Sequence, residues 1–206
     1  MAIVLIRQDD KIDLWKEAIL RQFPTIPVYN YLEDHPKEKI IMALVWKHPH
    51  GSLTKYPNLR CIASFGAGVD FIFNDPTLTG NIPVTRVIDP VLASDMSEYV
   101  LSAVLGHLKN FNSYQQDQFR GEWKPKGYER IQDHTIGILG AGTLGMTVAL
   151  DLKRIGFEVI GWVNSKKQDQ KIPLYVGEQQ KSDFLKKSTV LVCLLPLTKT
   201  TKGILN

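Results

Sequence analysis

The 206-residue chain lacks the features that define several protein classes. Its two cysteines, Cys61 and Cys193, form no C-x-x-C pair and lie in apolar segments, so we expect buried free thiols and neither a disulfide framework nor a metal site. No apolar run approaches the roughly 18 residues of a membrane helix. Charges at Arg7 and Asp9 come too early for a signal peptide. We therefore expect a cytoplasmic protein with no membrane partner.

An excess of charge of one sign is also missing. The net charge is +4 and the lysines are scattered, whereas a nucleic-acid-binding protein needs a basic stripe or an aromatic stacking surface. We expect no nucleic-acid partner. With 44% hydrophobic residues, the chain is long enough to bury one large core or two small ones.

The first half of the chain does contain an alternation of apolar strands and amphipathic helices. Residues 2–6, 40–46 and 59–65 are predicted strands, and the apolar spacing over 12–23 predicts a helix. This alternation is typical of an α/β fold with a mostly parallel sheet.

The third predicted strand ends in a glycine turn with the sequence "FGAGVDFIF". Gly66 and Gly68 allow the backbone to turn tightly, which directs the amides of Ala67, Gly68 and Val69 at the carboxyl edge of the sheet. Such a turn suits a small anion. A tight turn that binds nothing is an equally good interpretation of an isolated Gly-x-Gly pattern.

A long helix is predicted in the middle of the chain, followed by a polar connector. Asp95 and Glu98 form a capping-box pattern at its start, and the apolar face continues to about Phe119. We place the domain boundary inside this helix, which gives domains 1–98 and 99–206. A boundary before the helix fits the same pattern.

The second half opens with "ILGAGTLG" at residues 138–145, a G-x-G-x-x-G spacing between a predicted strand and a predicted helix. Gly140 makes the tight turn, Gly142 lets a pyrophosphate approach the backbone, and Gly145 lets the helix pack on the strand. The helix N-terminus adds amide donors and partial positive charge. We therefore predict dinucleotide binding, with a packing-only turn as the alternative. The predicted cofactor-binding residues of this turn are Gly140, Ala141, Gly142, Thr143, Leu144 and Gly145.

The end of the next predicted strand indicates which dinucleotide is bound. NAD enzymes place an Asp or Glu there to hold the ribose hydroxyls, whereas a 2′-phosphate requires neutral or basic neighbours. This chain has Asn164, Ser165 and Lys166 at that place and no carboxylate. The pattern favours NADP(H) over NAD(H); a solvated lysine turn is the alternative.

Several motifs, in order, carry a resemblance to a known family. "ALVWKHP", "SFGAGVDFI", "DMSEYVL", "GEWKP", "ILGAGTLG" and "LLPLTKTTKGILN" together resemble the D-isomer-specific 2-hydroxyacid dehydrogenases, and most closely their bacterial glyoxylate/hydroxypyruvate reductase A branch. The resemblance covers essentially the whole chain. It implies a flavodoxin-like substrate domain, a Rossmann cofactor domain, a homodimer, and NADPH-dependent reduction of glyoxylate or hydroxypyruvate to the D-2-hydroxy acid.

The resemblance also implies roles for individual residues. Trp46 would line the substrate pocket, and the amides around Ala67, Gly68 and Val69 would hold the substrate carboxylate. Further cofactor contacts would come from Leu195, Pro196 and Thr201. The chain departs from the branch at Asn164 and Lys166, where arginines are usual, and lysine lacks the planar fork with which arginine holds a phosphate.

The family's catalytic Arg, Glu and His have no counterparts in this sequence. In the family they lie beyond the segment that ends here at residue 206, and the five histidines fit surface or packing roles better than catalysis. Only four strands of a doubly wound domain are predicted after residue 134, with the fourth as an exposed edge. We therefore expect a C-terminally incomplete Rossmann domain, assign no catalytic residue and expect no reductase activity from the chain alone. The alternative is a catalytically silent dinucleotide-binding or interaction module.

Overall fold

The computed structural model describes residues 1–9, 11–165 and 171–205, and the chain divides into two compact units. Unit 1 comprises Met1–Ile88 and Pro196–Asn206, and unit 2 comprises Asp89–Leu195. The division therefore comes before the long helix, and the last residues group with unit 1. The buried Val100, Val104 and Leu108 of this helix lie in the core of unit 2, and the hydroxyl of its buried Ser97 donates a hydrogen bond to Asp151 at 2.7 Å.

Unit 1 is built on a parallel sheet of buried, apolar strands. Its strands are β1 (Ala2–Arg7), β2 (Val28–Asn30), β3 (Ile40–Trp46), β4 (Cys61–Ser64) and β5 (Val84–Thr85). Its helices include α1 (Ile12–Gln22) and the single turn α2 (Asp70–Phe73). The strand order β2-β1-β3-β4-β5 is that of flavodoxin-like folds, which confirms the predicted fold of this part.

The topology of unit 1 determines where a ligand can bind. The strand order reverses direction between β1 and β3, and in open parallel sheets ligands bind at the carboxyl ends of strands beside such a switch point. Trp46, the last residue of β3, pairs there with Arg7 of β1. The core beneath this edge is fully buried aliphatic side chains, including Val4, Val45 and Ile62.

Unit 2 contains a second parallel sheet covered by helices. Its strands are β6 (Thr135–Leu139), β7 (Glu158–Val163), β8 (Leu174–Val176) and β9 (Val190–Cys193). Its helices are α3 (Pro90–Leu108), α4 (Phe111–Phe119), α5 (Thr143–Arg154) and α6 (Gly177–Lys187). The order β8-β7-β6-β9 corresponds to strands 3-2-1-4 of a doubly wound domain, which confirms a Rossmann sheet of four described strands.

Strand β9 lies at the edge of this sheet, as the strand count predicted. Its backbone pairs with β6 on one side. The side chain of Cys193 is exposed at this edge, so the expectation of buried thiols is wrong for Cys193, and Cys61 is only half-buried. An edge strand lacks the second neighbour that would have covered it. Within the described residues, no helix is both long and apolar enough to cross a membrane.

The predicted long helix begins earlier than expected and is two helices. Asp89 is the N-cap of α3, where its carboxylate accepts a hydrogen bond from the amide of Val91 at 2.9 Å, and Pro90 occupies the first helical position. The Asp95 and Glu98 pair therefore lies inside the helix and does not cap it. Asn110 adopts a left-handed φ of +58°, which interrupts the helix between α3 and α4.

Candidate functional site

The glycine turn of unit 2 connects β6 to α5. Gly140 has a φ of +102°, which residues with a side chain rarely adopt, and its amide donates to the carbonyl of Trp162 at 3.0 Å. A Cβ atom on Gly145 would overlap the carbonyl oxygen of Gly140 and lie 3.1 Å from the side chain of Ile138. The fold itself therefore requires glycine at positions 140 and 145, for the turn and for the packing of α5 on β6.

Gly142 is different, because nothing in the packing of unit 2 requires a glycine there. Its φ of −76° is open to any residue. A Cβ atom on Gly142 would meet no heavy atom closer than the carbonyl oxygen of Gly140 at 4.0 Å. The backbone at position 142 thus borders open space, as it must if another group is to approach it.

The start of α5 adds hydrogen-bond donors beside that space. Gly142 is the N-cap, and its carbonyl accepts from the amide of Met146 at 2.9 Å. The amides of Thr143, Leu144 and Gly145 precede that bond, so they have no acceptor within the helix. Amides at a helix N-terminus carry partial positive charge and suit the oxygens of a phosphate. The turn can therefore hold a pyrophosphate.

The other predicted cofactor residues of unit 2 surround this turn at the same edge of the sheet. Asn164 and Ser165 directly follow β7, whose last residues align with the end of β6. Leu195 lies behind Gly140, with its amide nitrogen 3.0 Å from the position a Cβ atom would take there. Ala141 is fully buried. That these residues bind a dinucleotide stays a prediction.

Three predicted cofactor residues cannot be placed beside the turn. Lys166 lies outside the described residues. Pro196 and Thr201 group with unit 1, where the Thr201 hydroxyl donates to the Pro196 carbonyl at 2.5 Å. Their proposed contact with a cofactor therefore stays a prediction from the family resemblance.

The glycine turn of unit 1, residues 66–69, follows β4 and combines occupied acceptors with free donors. The carbonyl of Gly66 accepts from the amide of Val87 at 3.1 Å, and the carbonyl of Gly68 accepts from the hydroxyl of buried Ser64 at 2.8 Å. Within the part of the chain that the structure describes, no acceptor takes the amides of Ala67, Gly68 or Val69. Free donors with occupied acceptors favour a small anion.

Two further side chains shape this turn. The indole of Trp46 lies directly on Gly66, since a Cβ atom there would come within 2.5 Å of the ring. The guanidinium of Arg86, just past β5, donates to the carbonyl of Ala67 at 3.5 Å. Arg86 adds positive charge that offsets the nearby carboxylate of Asp70, which lies 3.1 Å from the position of a Cβ atom on Gly68.

Comparison with known proteins identifies the family. Residues 101–206 match the family model described as D-isomer specific 2-hydroxyacid dehydrogenase, NAD binding domain. The chain belongs to this family. It is 37% identical over 199 residues to the glyoxylate/hydroxypyruvate reductase A of Serratia proteamaculans, an alignment that covers 93% of this chain and 63% of that protein. The chain thus spans slightly less than two thirds of that relative's length.

Solved structures of the family share the fold. A D-isomer specific 2-hydroxyacid dehydrogenase from Xanthobacter autotrophicus, in complex with NADPH and MES, has a TM-score of 0.90 at 33% identity, covering 100% of this chain and 66% of that one. An NADPH-dependent glyoxylate/hydroxypyruvate reductase from Sinorhizobium meliloti, in complex with NADP and sulfate, has a TM-score of 0.86 at 32% identity. That alignment covers 98% of this chain and 65% of the other.

Sequence reasoning missed two features of the unit 1 site. Arg86 follows a strand of two residues and belongs to no motif, so nothing in the sequence connects it with Ala67. His48 was interpreted as a surface or packing histidine, yet its side chain is fully buried beside that of Asp75. The signal for this pair could only have come from knowing that residues 48 and 75 meet, because they are 27 positions apart.

Proposed function

We propose that unit 2 binds a nicotinamide dinucleotide at the glycine turn, with NADP(H) preferred over NAD(H). The single observation that carries this proposal is Gly142, a glycine that the fold does not need and whose backbone borders open space beside free amides. The uncharged Asn164 and Ser165 after β7 favour a ribose 2′-phosphate over free hydroxyls. The NADPH and NADP complexes of the two solved relatives support the same preference.

We further propose that the turn of residues 66–69 in unit 1 binds the carboxylate of a small 2-oxo acid, such as glyoxylate or hydroxypyruvate. The free amides of Ala67, Gly68 and Val69 supply directed donors, and Arg86 supplies charge. Trp46 places an apolar ring next to the turn, against Gly66. Unit 1 would thus be the substrate domain and unit 2 the cofactor domain.

The proposed reaction is reduction of the 2-oxo acid to the D-2-hydroxy acid. NADPH would supply the hydride when it is bound. The described residues serve binding and orientation: the amides after β4 hold the carboxylate, and those at the start of α5 hold the pyrophosphate. We assign no general acid to this chain. His48, one of two buried histidines among the described residues, is hydrogen-bonded to Asp75 and has no exposed surface on its side chain.

We also propose a homodimer and a cytoplasmic location. The dimer is supported by a group of exposed aromatic side chains on α4 and the connector after it, in unit 2. Phe119 is 93% exposed and Trp123 is 91% exposed. Aromatic residues exposed together mark protein interfaces more often than open surface. The cytoplasmic location is supported by the reduced dinucleotide that the reaction would consume.

Binding experiments with the whole chain test this proposal. We expect calorimetric titration to show that NADPH binds more tightly than NADH, and that oxalate, a carboxylate mimic of the 2-oxo acid, binds in addition to NADPH. Failure of NADPH to bind would overturn the proposal. Because we assign no catalytic residue to this chain, we expect no loss of NADPH absorbance on addition of glyoxylate. Loss of absorbance at an enzyme's ordinary rate would show that the chain is a reductase as it stands.

A further inference from the structure

A buried, hydrogen-bonded pair of side chains lies close to the proposed substrate-binding turn of unit 1. Nε2 of His48 is 3.1 Å from Oδ2 of Asp75, and both side chains are fully buried. Asp75 accepts three more hydrogen bonds, from the amide of Gly51 at 3.2 Å and from the amide and hydroxyl of Thr77 at 2.9 and 2.7 Å. The pair therefore ties the loop after β3 to the segment after α2.

The distribution of hydrogen bonds fixes the state of this histidine. Nδ1 of His48 is buried and has no partner within the described residues. The proton of the neutral ring therefore sits on Nε2, where it is donated to Asp75. Burial lowers the pKa of His48, although the carboxylate of Asp75 opposes this shift. Burial alone would raise the pKa of Asp75, but its hydrogen bonds with Thr77, Gly51 and His48 lower it to about 2.

The residue before His48 has an unfavourable backbone conformation. Lys47 has a φ of +47°, in the left-handed region that a residue with a Cβ atom adopts only when its surroundings impose it. The Lys47 side chain itself is exposed, so it makes no packing that explains the conformation. The residues on either side of it are both held in place, Trp46 against Gly66 and His48 against Asp75.

Ring contacts connect the pair with the indole of Trp46. The ring of His48 packs edge-on against Phe71 at a centroid distance of 5.8 Å, and Phe71 packs in the same manner against Trp46 at 5.9 Å. Trp46 in turn lies on Gly66 at the start of the anion-binding turn. The left-handed conformation at Lys47 thus lies between two residues whose rings both pack on Phe71.

We propose that His48 and Asp75 are positioning residues, which hold Lys47 in its left-handed conformation and thereby fix the indole of Trp46 against the turn that binds the substrate carboxylate. This inference rests on the proposed role of that turn and of Trp46. His48 does not contact the substrate in this scheme. It acts by keeping the wall of the pocket in one place.

Fluorine NMR of the whole chain labelled with 5-fluorotryptophan measures the position of the indole directly. The chain has four tryptophans, and Trp46→Phe identifies the resonance that belongs to Trp46. Gly66→Ala gives the fluorine resonance of a displaced Trp46 indole for reference, because the added Cβ atom collides with the ring. We expect His48→Phe, which keeps a ring but loses the hydrogen bond, to shift or broaden the Trp46 resonance and leave the other three unchanged.

Three variants separate positioning from a general loss of stability. His48→Gln can still donate to Asp75 through its amide, so we expect the Trp46 resonance of the parent. The double variant that carries Lys47→Gly and His48→Phe should regain much of the parent Trp46 resonance, because glycine adopts the left-handed conformation without a penalty. The exposed His50→Phe is the matched control and should change nothing.

Ligand affinity then links the position of Trp46 to function. With NADPH saturating, we expect oxalate to bind about tenfold more weakly to the His48→Phe variant than to the parent, and Lys47→Gly to recover part of that loss. NADPH affinity should change by less than about twofold. If the Trp46 resonance does not move in His48→Phe, or Lys47→Gly restores nothing, the inference is wrong. If the resonance behaves as expected but the parent does not bind oxalate, the positioning stands and the proposed function fails.

Discussion

Replacing Gly142 with valine separates ligand binding from folding more cleanly than any other change in unit 2. The backbone angles at position 142 suit a residue with a side chain, and the nearest atom to an added Cβ atom is the carbonyl oxygen of Gly140, at 4.0 Å. We expect the free energy of unfolding to fall by no more than about 1 kcal/mol, the scale of changes at a helix N-cap. The valine methyl groups would instead occupy the space that the pyrophosphate needs.

The expected loss of affinity follows from the donors that the ligand can no longer reach. Hydrogen bonds to charged groups contribute about 1.5–3 kcal/mol each, and a valine side chain would separate the phosphates from at least two amides at the start of α5. The dissociation constant for NADPH should therefore rise about 10²- to 10⁴-fold. Calorimetric titration measures it, and urea unfolding monitored by circular dichroism measures stability in the same sample.

Gly145→Ala is the contrasting variant, because its Cβ atom would collide with the carbonyl of Gly140 and would perturb the turn through packing. We expect this variant to lose about 1–3 kcal/mol of stability, the range for an overpacked core. The dinucleotide site is refuted if Gly142→Val binds NADPH within about threefold of the parent while remaining folded. The dinucleotide site is also refuted if Gly142→Val and Gly145→Ala each lose NADPH affinity only in proportion to the stability that each variant loses.

Three other predictions concern stability and assembly. Asp89→Ala should lower the unfolding free energy by about 1 kcal/mol in urea titrations, because it removes the N-cap of α3; Asp89→Asn should retain most of it. Below pH 6.5 the unfolded chain protonates His48 more readily than the native chain, whose pKa is lowered, so stability should fall as the pH falls through this range. Urea titrations at about pH 7.5 and about pH 5.5 should show a smaller difference for His48→Gln than for the parent. Replacing Phe119 and Trp123 with serine should weaken a dimer in sedimentation equilibrium without changing the circular dichroism spectrum.

The fold could be predicted from the sequence wherever the apolar pattern was long and regular. Strand β3 begins and ends at the predicted residues, and β6 matches the run before the glycine motif. Strand β2 was missed because its three residues are too few to show a period. The start of α3 was predicted too late because Asp95 and Glu98 have the spacing of a capping box. The N-cap is Asp89, which is followed by a proline.

The two glycine turns differ in how much of their chemistry the sequence reveals. At the start of α5 the spacing of the three glycines predicts almost all of the geometry. The tight turn, the open backbone and the packing of the helix each require one of these glycines. The turn after β4 depends on partners distant in the chain: the acceptors are occupied by Ser64 and Val87, and Arg86 arrives from a different strand. Local spacing encodes a site when one continuous segment builds it. When the sheet brings separate segments together, only the folded chain shows which donors remain free, and those donors determine what the site can bind.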